Sequence, residues 1–398
     1  MSSRSRREGP ILVVIGTRPE AIKLAPVIIA LRNRASRDIV ICHSGQHRDL
    51  FDDAMRSFGL KADVSTDTMV DGQSLPALHG RLFNAFDHIL RSTKPGTLVV
   101  QGDTATVAVA AWAAFLSNIE VAHVEAGLRS GNKWHPFPEE VNRRITSVVS
   151  DWHFAPTSGA ASALISEGID PDDVVITGNT IVDALLMLRK SLADASPPFG
   201  LDTSRPILLV TVHRRENFGQ PMVDVCAAIK RLAEKHPRLQ IVVPMHPNPE
   251  AGRIMQQHLG GIASVKLCKA LAYDEFVRLL LHATIALSDS GGIQEEGPAI
   301  GLPVLVLREV TERPEGIAAG SVRLVGTNTE NIVRSVDELL LDPAQYKHMS
   351  TPRCVYGDGN AAERIVDVLT TGSLQRPPFV PGDAELRPSN ERASAASS

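Results

Sequence analysis

Short apolar runs recur along the chain, each followed by a longer stretch with helical periodicity. The first half predicts strands over Ile11–Ile15, Ile39–His43, Thr97–Gln101, Val121–Val124, Trp152–Ala155 and Val174–Thr177. Between them the pattern predicts helices over Ala21–Asn33, Asp49–Ser57, Leu75–Ser92, Thr106–Ser117 and Glu139–Val149. Asp194–Arg205, with Pro197, Pro198 and Gly200, then breaks the pattern and reads as a linker. A second series follows, with strands over Ile207–Val212, Leu239–Pro244, Val265–Leu267, Ile285–Ser288 and Val304–Leu307 and helices between them, Met222–His236 first. Continuous apolar strands alternating with helices imply parallel sheets covered on both faces. The expected class is therefore α/β, with two Rossmann-like domains facing a cleft, spanning 9–193 and 204–359. Ligands of such open sheets bind beyond the strand C-termini.

At 398 residues the chain is long enough for two separate cores. Its 43% hydrophobic and 22% charged content is that of a globular protein. A net charge of −4 and only 4% aromatics argue against a general nucleic-acid surface. The run Ile11–Ile15 is too short for a signal sequence or a membrane span. Cys42, Cys226, Cys268 and Cys354 are far apart, which suits reduced residues in the cytoplasm, and no metal-ligand spacing occurs. Residues 372–398, rich in Pro, Ser, Ala and Arg, are expected to form a disordered tail.

The strand ends carry the candidate chemistry. Ser288-Asp289-Ser290-Gly291-Gly292-Ile293-Gln294-Glu295-Glu296 joins a buried strand to a helix. Its glycines allow close approach to the backbone, and the helix start favours an anion such as phosphate. The carboxylates one turn on, Glu295 and Glu296, are placed for ribose hydroxyls. Gly16-Thr17-Arg18-Pro19-Glu20 opens the first helix, where Arg18 and Lys23 oppose the helix dipole unless an anion joins them. No GxGxxG is present, which argues against a dinucleotide cofactor. Asp103, Glu125 and Glu139 come from consecutive elements of one sheet, and carboxylates crowded beside a cleft can divide into acid and base. The plainer readings are an N-cap for Asp103 and a helix-start charge for Glu139, with Arg143 as its i+4 partner. His213 can act as an acid or donor, and Arg214 and Arg215 offer forked donors for phosphate or simply form a basic turn. Arg313 can reach an acidic ligand or pair with Glu312 or Glu315.

The segments GTRPEAIKLAPV (16–27), GQH (45–47), QGDT (101–104), HVEAGLRS (123–130), PFPEEVNR (136–143), GNTIVDAL (178–185), HRREN (213–217), SDSGGIQEE (288–296) and TERPE (311–315) together resemble bacterial, non-hydrolysing UDP-N-acetylglucosamine 2-epimerases. The resemblance spans about residues 11–370. It implies a GT-B-like fold whose last helix, 360–371, packs back on the first domain, and a homodimer. It implies catalysis by Asp103, Glu125, Glu139 and His213 without cofactor or metal. It also implies UDP-sugar binding by Arg18, Lys23, Phe276, Ser290, Gly291, Gly292, Glu296 and Arg313. Gln46, Arg214 and His246 match positions where a second UDP-N-acetylglucosamine acts as activator. Leu271 departs from the glutamine of some members and removes a side-chain amide from the nucleotide.

The competing expectations are a hydrolysing epimerase releasing N-acetylmannosamine, an epimerase of a modified UDP-N-acetyl sugar, and a GT-B glycosyltransferase. The last needs one base where this chain offers three carboxylates.

Overall fold

The computed structural model describes residues 8–45, 48–70, 72–245 and 249–383. They form two units, 8–187 with 356–381 and 188–355 with 382–383.

The first unit holds a seven-stranded parallel sheet. Its strands are β1 (Ile11–Ile15), β2 (Ile39–His43), β3 (Val64–Ser65), β4 (Thr97–Gln101), β5 (Glu120–Val124), β6 (Trp152–Ala155) and β7 (Val174–Ile176), in the order β3-β2-β1-β4-β5-β6-β7. β1 pairs with β2 on one side, Val13 opposite Ile41, and with β4 on the other, Ile11 opposite Thr97. Every residue of β1 and β4 is buried, which is why both read as unbroken apolar runs rather than alternating ones. Leu82 and Phe86 from the helix Leu75–Thr93 and Val107 and Ala110 from the helix Ala105–Leu116 pack with Leu12, Leu98 and Val100 in one core. The helix Ala361–Thr371 belongs to this unit and packs on the helix Arg18–Arg34. Arg34 binds Asp367 at 2.6 Å, and Asp183 accepts the Ala362 amide that opens the later helix at 2.8 Å.

The second unit repeats the plan. Its strands are β8 (Ile207–Thr211), β9 (Gln240–Pro244), β10 (Val265–Cys268), β11 (Ile285–Ser288), β12 (Val304–Val306) and β13 (Val322–Leu324), in the order β10-β9-β8-β11-β12-β13. Leu208, Val210, Ile229, Leu232, Ile241 and Leu305 form the centre of its core. In each sheet the strand order reverses beside its first strand, between β1 and β4 and between β8 and β11. That reversal leaves a crevice at the strand C-termini where ligands of doubly wound sheets bind.

Expected strands and observed ones agree to within a residue or so at their ends. The first helix starts at Arg18 rather than Ala21, because Thr17 stays extended and Pro19 is pre-set for the opening turn. β3 escaped the pattern because it is only two residues long, and β13 because Arg323 interrupts its apolar run. The tail requires correction. Residues 372–383 are ordered: Phe379 is buried and its amide donates to Ile176 at 3.0 Å, and the pair Gly382–Asp383 (β15) lies antiparallel to Arg353–Cys354 (β14). One buried aromatic and the cation Arg364, which donates to the Pro377 carbonyl, hold a segment whose composition alone reads as disordered. Residues from 384 on lie outside the described part. Among the described residues no helix is long and apolar enough to cross a membrane.

Candidate functional site

In the first unit the reversal between β1 and β4 brings the turn 16–17 beside the turn 102–104. Asp103 follows β4 by two residues. The Arg143 guanidinium grips one of its carboxylate oxygens, Nε at 2.9 Å and Nη2 at 2.7 Å. Asn142 adds a bond to its backbone carbonyl at 2.9 Å. Asp103 is not the N-cap of the following helix. Thr104 is, its hydroxyl accepting from the Val107 amide. Nor is Arg143 the partner of Glu139, since it binds Asp103 and Glu140. The capping and ion-pair roles expected of these two acids are thus filled by other residues. Glu139 opens the helix Glu139–Val149, where its Oε2 is buried and has no hydrogen-bond partner. An orphaned carboxylate oxygen of this kind is rare in a folded chain and calls for an explanation, a ligand among them.

Glu125 follows β5, the neighbour of β4. Lys23 lies against both of its oxygens at 2.8 and 2.7 Å, and Gln101, the last residue of β4, donates at 2.5 Å. Both charged side chains are over nine-tenths buried. The backbone of Glu125 has φ of 62°, a left-handed conformation that costs a side-chain-bearing residue about 1–2 kcal/mol. A buried ion pair on a strained residue contributes little to stability, so its retention points to chemistry. Arg18 stands in the first turn of its helix, the turn that also carries Glu20.

Two further groups brace this site. Glu20 is 1% exposed, accepts the Gly16 amide and Thr17 hydroxyl, and is pushed up to about 7, chiefly by burial. Hydrogen bonds from Gly16, Thr104 and Thr17 oppose that rise, and Asp103 adds to it. Glu20 thus ties the turn after β1 to the turn after β4. His123, inside β5, bonds the Gly102 carbonyl through Nε2 at 2.8 Å, and burial pushes it down to about 4. It is neutral at pH 7 and fixes the turn that presents Asp103. Both residues lay inside recognisable motifs, but their roles depend on contacts between separate strand ends.

In the second unit the reversal between β8 and β11 sets His213 and Arg214 beside Asp289 and Ser290. Ser290 is the N-cap of the helix Gly291–Ile300 but makes no side-chain capping bond, its own amide being held by the Ser288 hydroxyl at 2.9 Å. The first amides of this helix therefore have no cap from it, which suits an anion. Arg313 lies across the helix start: a Cβ on Gly291 would meet its Cζ at 2.7 Å. Its Nε is held by Glu295 at 2.6 Å, and Nη1 lies 3.6 Å from Glu312 rather than on Glu315. Arg308 binds Glu312 at 2.9 Å. Burial alone would raise Glu312, but Arg308, and behind it Arg214, outweigh that and hold it at about 2. Arg214 is pushed down by burial and then by repulsion from Arg308. Three arginines crowded at an uncapped helix start make a site for a multiply charged anion.

One turn into that helix, buried Glu296 accepts the Tyr273 hydroxyl at 2.7 Å. Tyr273 begins the helix Tyr273–His282, which carries half-buried Phe276 one turn later, with Leu271 just before it. A carboxylate and an aromatic ring on this side of the helix start suit a ribose and a base. Of the three positions matched to an activator, Arg214 lies in the turn after β8, with its backbone amide on Asp289 at 2.9 Å. Gln46 and His246 lie outside the described residues.

The chain is similar to known proteins along most of its length. The family model described as UDP-N-acetylglucosamine 2-epimerase matches residues 29–370. The UDP-N-acetylglucosamine 2-epimerase of Neisseria meningitidis is 43% identical over 368 residues, 90% of this chain and 98% of that protein. The Escherichia coli protein of that name is 41% identical over 373 residues, 92% and 99% of the two chains. Among solved structures, the Neisseria meningitidis enzyme bound to UDP-GlcNAc has a TM-score of 0.86 at 42% identity, covering 90% of this chain and 99% of that one. The Methanocaldococcus jannaschii enzyme in complex with UDP-GlcNAc and UDP has a TM-score of 0.76 at 31% identity, covering 91% and 99%. The α/β, GT-B-like class expected from the sequence is the class of these structures. Since the family model spans residues 29–370 and a relative 43% identical covers 90% of this chain, the chain belongs to the UDP-N-acetylglucosamine 2-epimerase family.

Proposed function

We propose that the protein interconverts UDP-N-acetylglucosamine and UDP-N-acetylmannosamine without net hydrolysis. The observation that carries this reading is the set of three carboxylates on adjacent elements of the first unit, each held in a different environment. Asp103 is gripped by Arg143, Glu125 is locked to Lys23, and Glu139 keeps a buried oxygen without a partner. Inverting C2 requires proton removal from one face of the sugar and delivery to the other, hence more than one acid–base group.

In the proposed reaction a carboxylate takes the C2 proton. The C2–H electron pair becomes the C1=C2 bond, and the C1–O bond breaks with its pair leaving on UDP. The result is 2-acetamidoglucal and bound UDP. Return of UDP to C1 with protonation of C2 on the opposite face gives the epimer. Glu139 and Asp103 are the candidates for the two proton transfers, with Glu125 beside them and fixed by its partners. The second unit holds the leaving group. Ser290, Gly291, Gly292 and Arg313 take the diphosphate, Glu296 the ribose and Phe276 the base, while Arg18 and Lys23 add cations from the first unit. His213 and the arginines stabilise the charge gathered on departing UDP, which is transition-state electrostatics. No residue is assigned to a cofactor or metal.

Two finer features accompany this reading. A second UDP-N-acetylglucosamine bound through Gln46, Arg214 and His246 would activate the enzyme. Reverse kinetics would then be sigmoidal and become hyperbolic when a little of that sugar nucleotide is added. A homodimer would bury the exposed side chains Trp112, Phe115 and Leu116 on the helix Ala105–Leu116 and Val148 on the helix that packs against it.

The deciding experiment is incubation with UDP-N-acetylglucosamine in deuterated water, followed by proton NMR. Epimerised UDP-sugar with deuterium at C2 is expected. Free N-acetylmannosamine would replace the proposal with hydrolysis. Absence of C2 exchange, with sugar moved only to an added acceptor, would replace it with glycosyl transfer.

A further inference from the structure

Asp289 lies within the phosphate turn but has no place in the reaction as set out above. It is completely buried, in the bend between β11 and the helix Gly291–Ile300. Its carboxylate faces the neighbouring turn after β8. There it accepts the His213 amide at 3.1 Å, the Arg214 amide at 2.9 Å and the Asn217 side-chain amide at 2.8 Å. The His213 ring lies beside the carboxylate, with Nδ1 3.1 Å from Oδ1. The Asp289 carbonyl accepts the Arg214 guanidinium at 3.1 Å. Structural anchoring alone needs the backbone amides and Asn217. It does not need the ring.

We infer that Asp289 is a positioning residue for His213, holding its imidazole as the Nδ1–H tautomer so that Nε2 serves the substrate. The inference rests on the reading of His213 as a group acting on the departing UDP. A carboxylate offers only acceptors at neutral pH, so the ring nitrogen beside it must carry the proton. The two carboxylate oxygens divide the work. Oδ2 takes the Arg214 amide and Asn217, both oxygens share the His213 amide, and Oδ1 is the oxygen that the ring nitrogen approaches. A substitution by Asn can therefore keep an oxygen toward the loop, where the donors are most numerous, and turn its NH₂ toward the ring. The loop stays in place while the imidazole must accept at Nδ1 and carry its proton on Nε2. The same tautomer error is the known consequence of an Asp-to-Asn change behind a catalytic histidine.

The test uses the full-length protein labelled with ¹⁵N-histidine, with the His213 signals identified by their loss in His213→Asn. In the wild-type protein at alkaline pH, Nδ1 is expected to have a pyrrole-type shift and Nε2 a pyridine-type shift. In Asp289→Asn the two should exchange. The variant's kcat should fall about 100-fold or more, with Kd for UDP by calorimetry changed less than about threefold. In the His213→Asn background, Asp289→Asn should lower kcat little further, because it acts through a ring already removed. A wild-type Nδ1 of pyridine type would overturn the inference, even if Asp289→Asn does not fold. So would equal losses of kcat in both backgrounds. The tautomer is read in the resting protein without substrate. Failure of the epimerase reading would appear instead in the deuterium experiment.

Discussion

Replacing Lys23 by Met separates the stability of the first unit from its chemistry. Lys23 and Glu125 form an ion pair at 2.7 Å, with side-chain exposures of 9% and 7%. Removing one partner leaves the other charge buried, at a cost of about 3–5 kcal/mol. Gln101 still donates to Glu125, which favours the lower part of that range. For a unit of this size each kcal/mol lowers Tm by about 2–4 °C, so roughly 6–20 °C is at stake. Adding Glu125→Gln removes the second charge, and the introduced amide oxygen can still accept from Gln101. The double variant should then recover to within about 1–2 kcal/mol of wild type. Calorimetry of wild type, both single variants and the double variant closes the cycle, with deuterium exchange at C2 measured on the same samples. The double variant should be folded, nearly as stable as wild type, and inactive. A single variant losing under about 1 kcal/mol, or a double variant no more stable than Lys23→Met, would refute the claim that these charges are buried together for function rather than for stability.

Gly291→Ala puts a methyl group 2.7 Å from the Arg313 Cζ and must displace that guanidinium. UDP affinity should fall about tenfold or more by calorimetry, whereas Gly292→Ala, whose Cβ finds nothing nearer than 3.6 Å, should lose less. Asp183 is raised to about 7, mainly by burial, so the native state holds its proton more tightly than the unfolded chain. Its stabilising effect is complete below its ordinary value of 3.8 and is lost as pH rises through about 7. Asp183→Asn removes this dependence, and in urea titrations it should gain on wild type by a few kcal/mol, on the order of 3, between pH 5 and pH 8. A gain that is the same at both pH values would count against buried Asp183 as the source. Trp112→Asp with Phe115→Asp should convert the proposed dimer to a monomer in light scattering without unfolding it, while an unchanged mass would exclude this surface.

The sequence made the two sheets legible because their strands are buried on both faces, and unbroken apolar runs such as Ile11–Ile15 and Ile207–Thr211 admit few other structures. It made the candidate residues legible because strand ends carry them. Their partners were less accessible. Arg143 sits four residues after Glu139, and helical spacing pairs the two, yet its guanidinium turns to Asp103 on another element. Glu20, His123 and Asp289 show the same limit. Each is an ordinary polar residue in its own segment, and each acquires a role only through a contact with another strand's end: Glu20 and Asp289 where two turns meet at the reversal of strand order, His123 between β5 and the turn after β4. The residues that could touch a substrate are mostly readable from local motifs, because a strand end followed by a helix start presents them locally. The residues that aim them are not, because their function lies in the distance between separate strands. That distance is set by sheet order, β1 beside β4 and β8 beside β11. A change at one of these buried braces would therefore leave every residue that could touch the substrate in place while misdirecting Asp103 or His213.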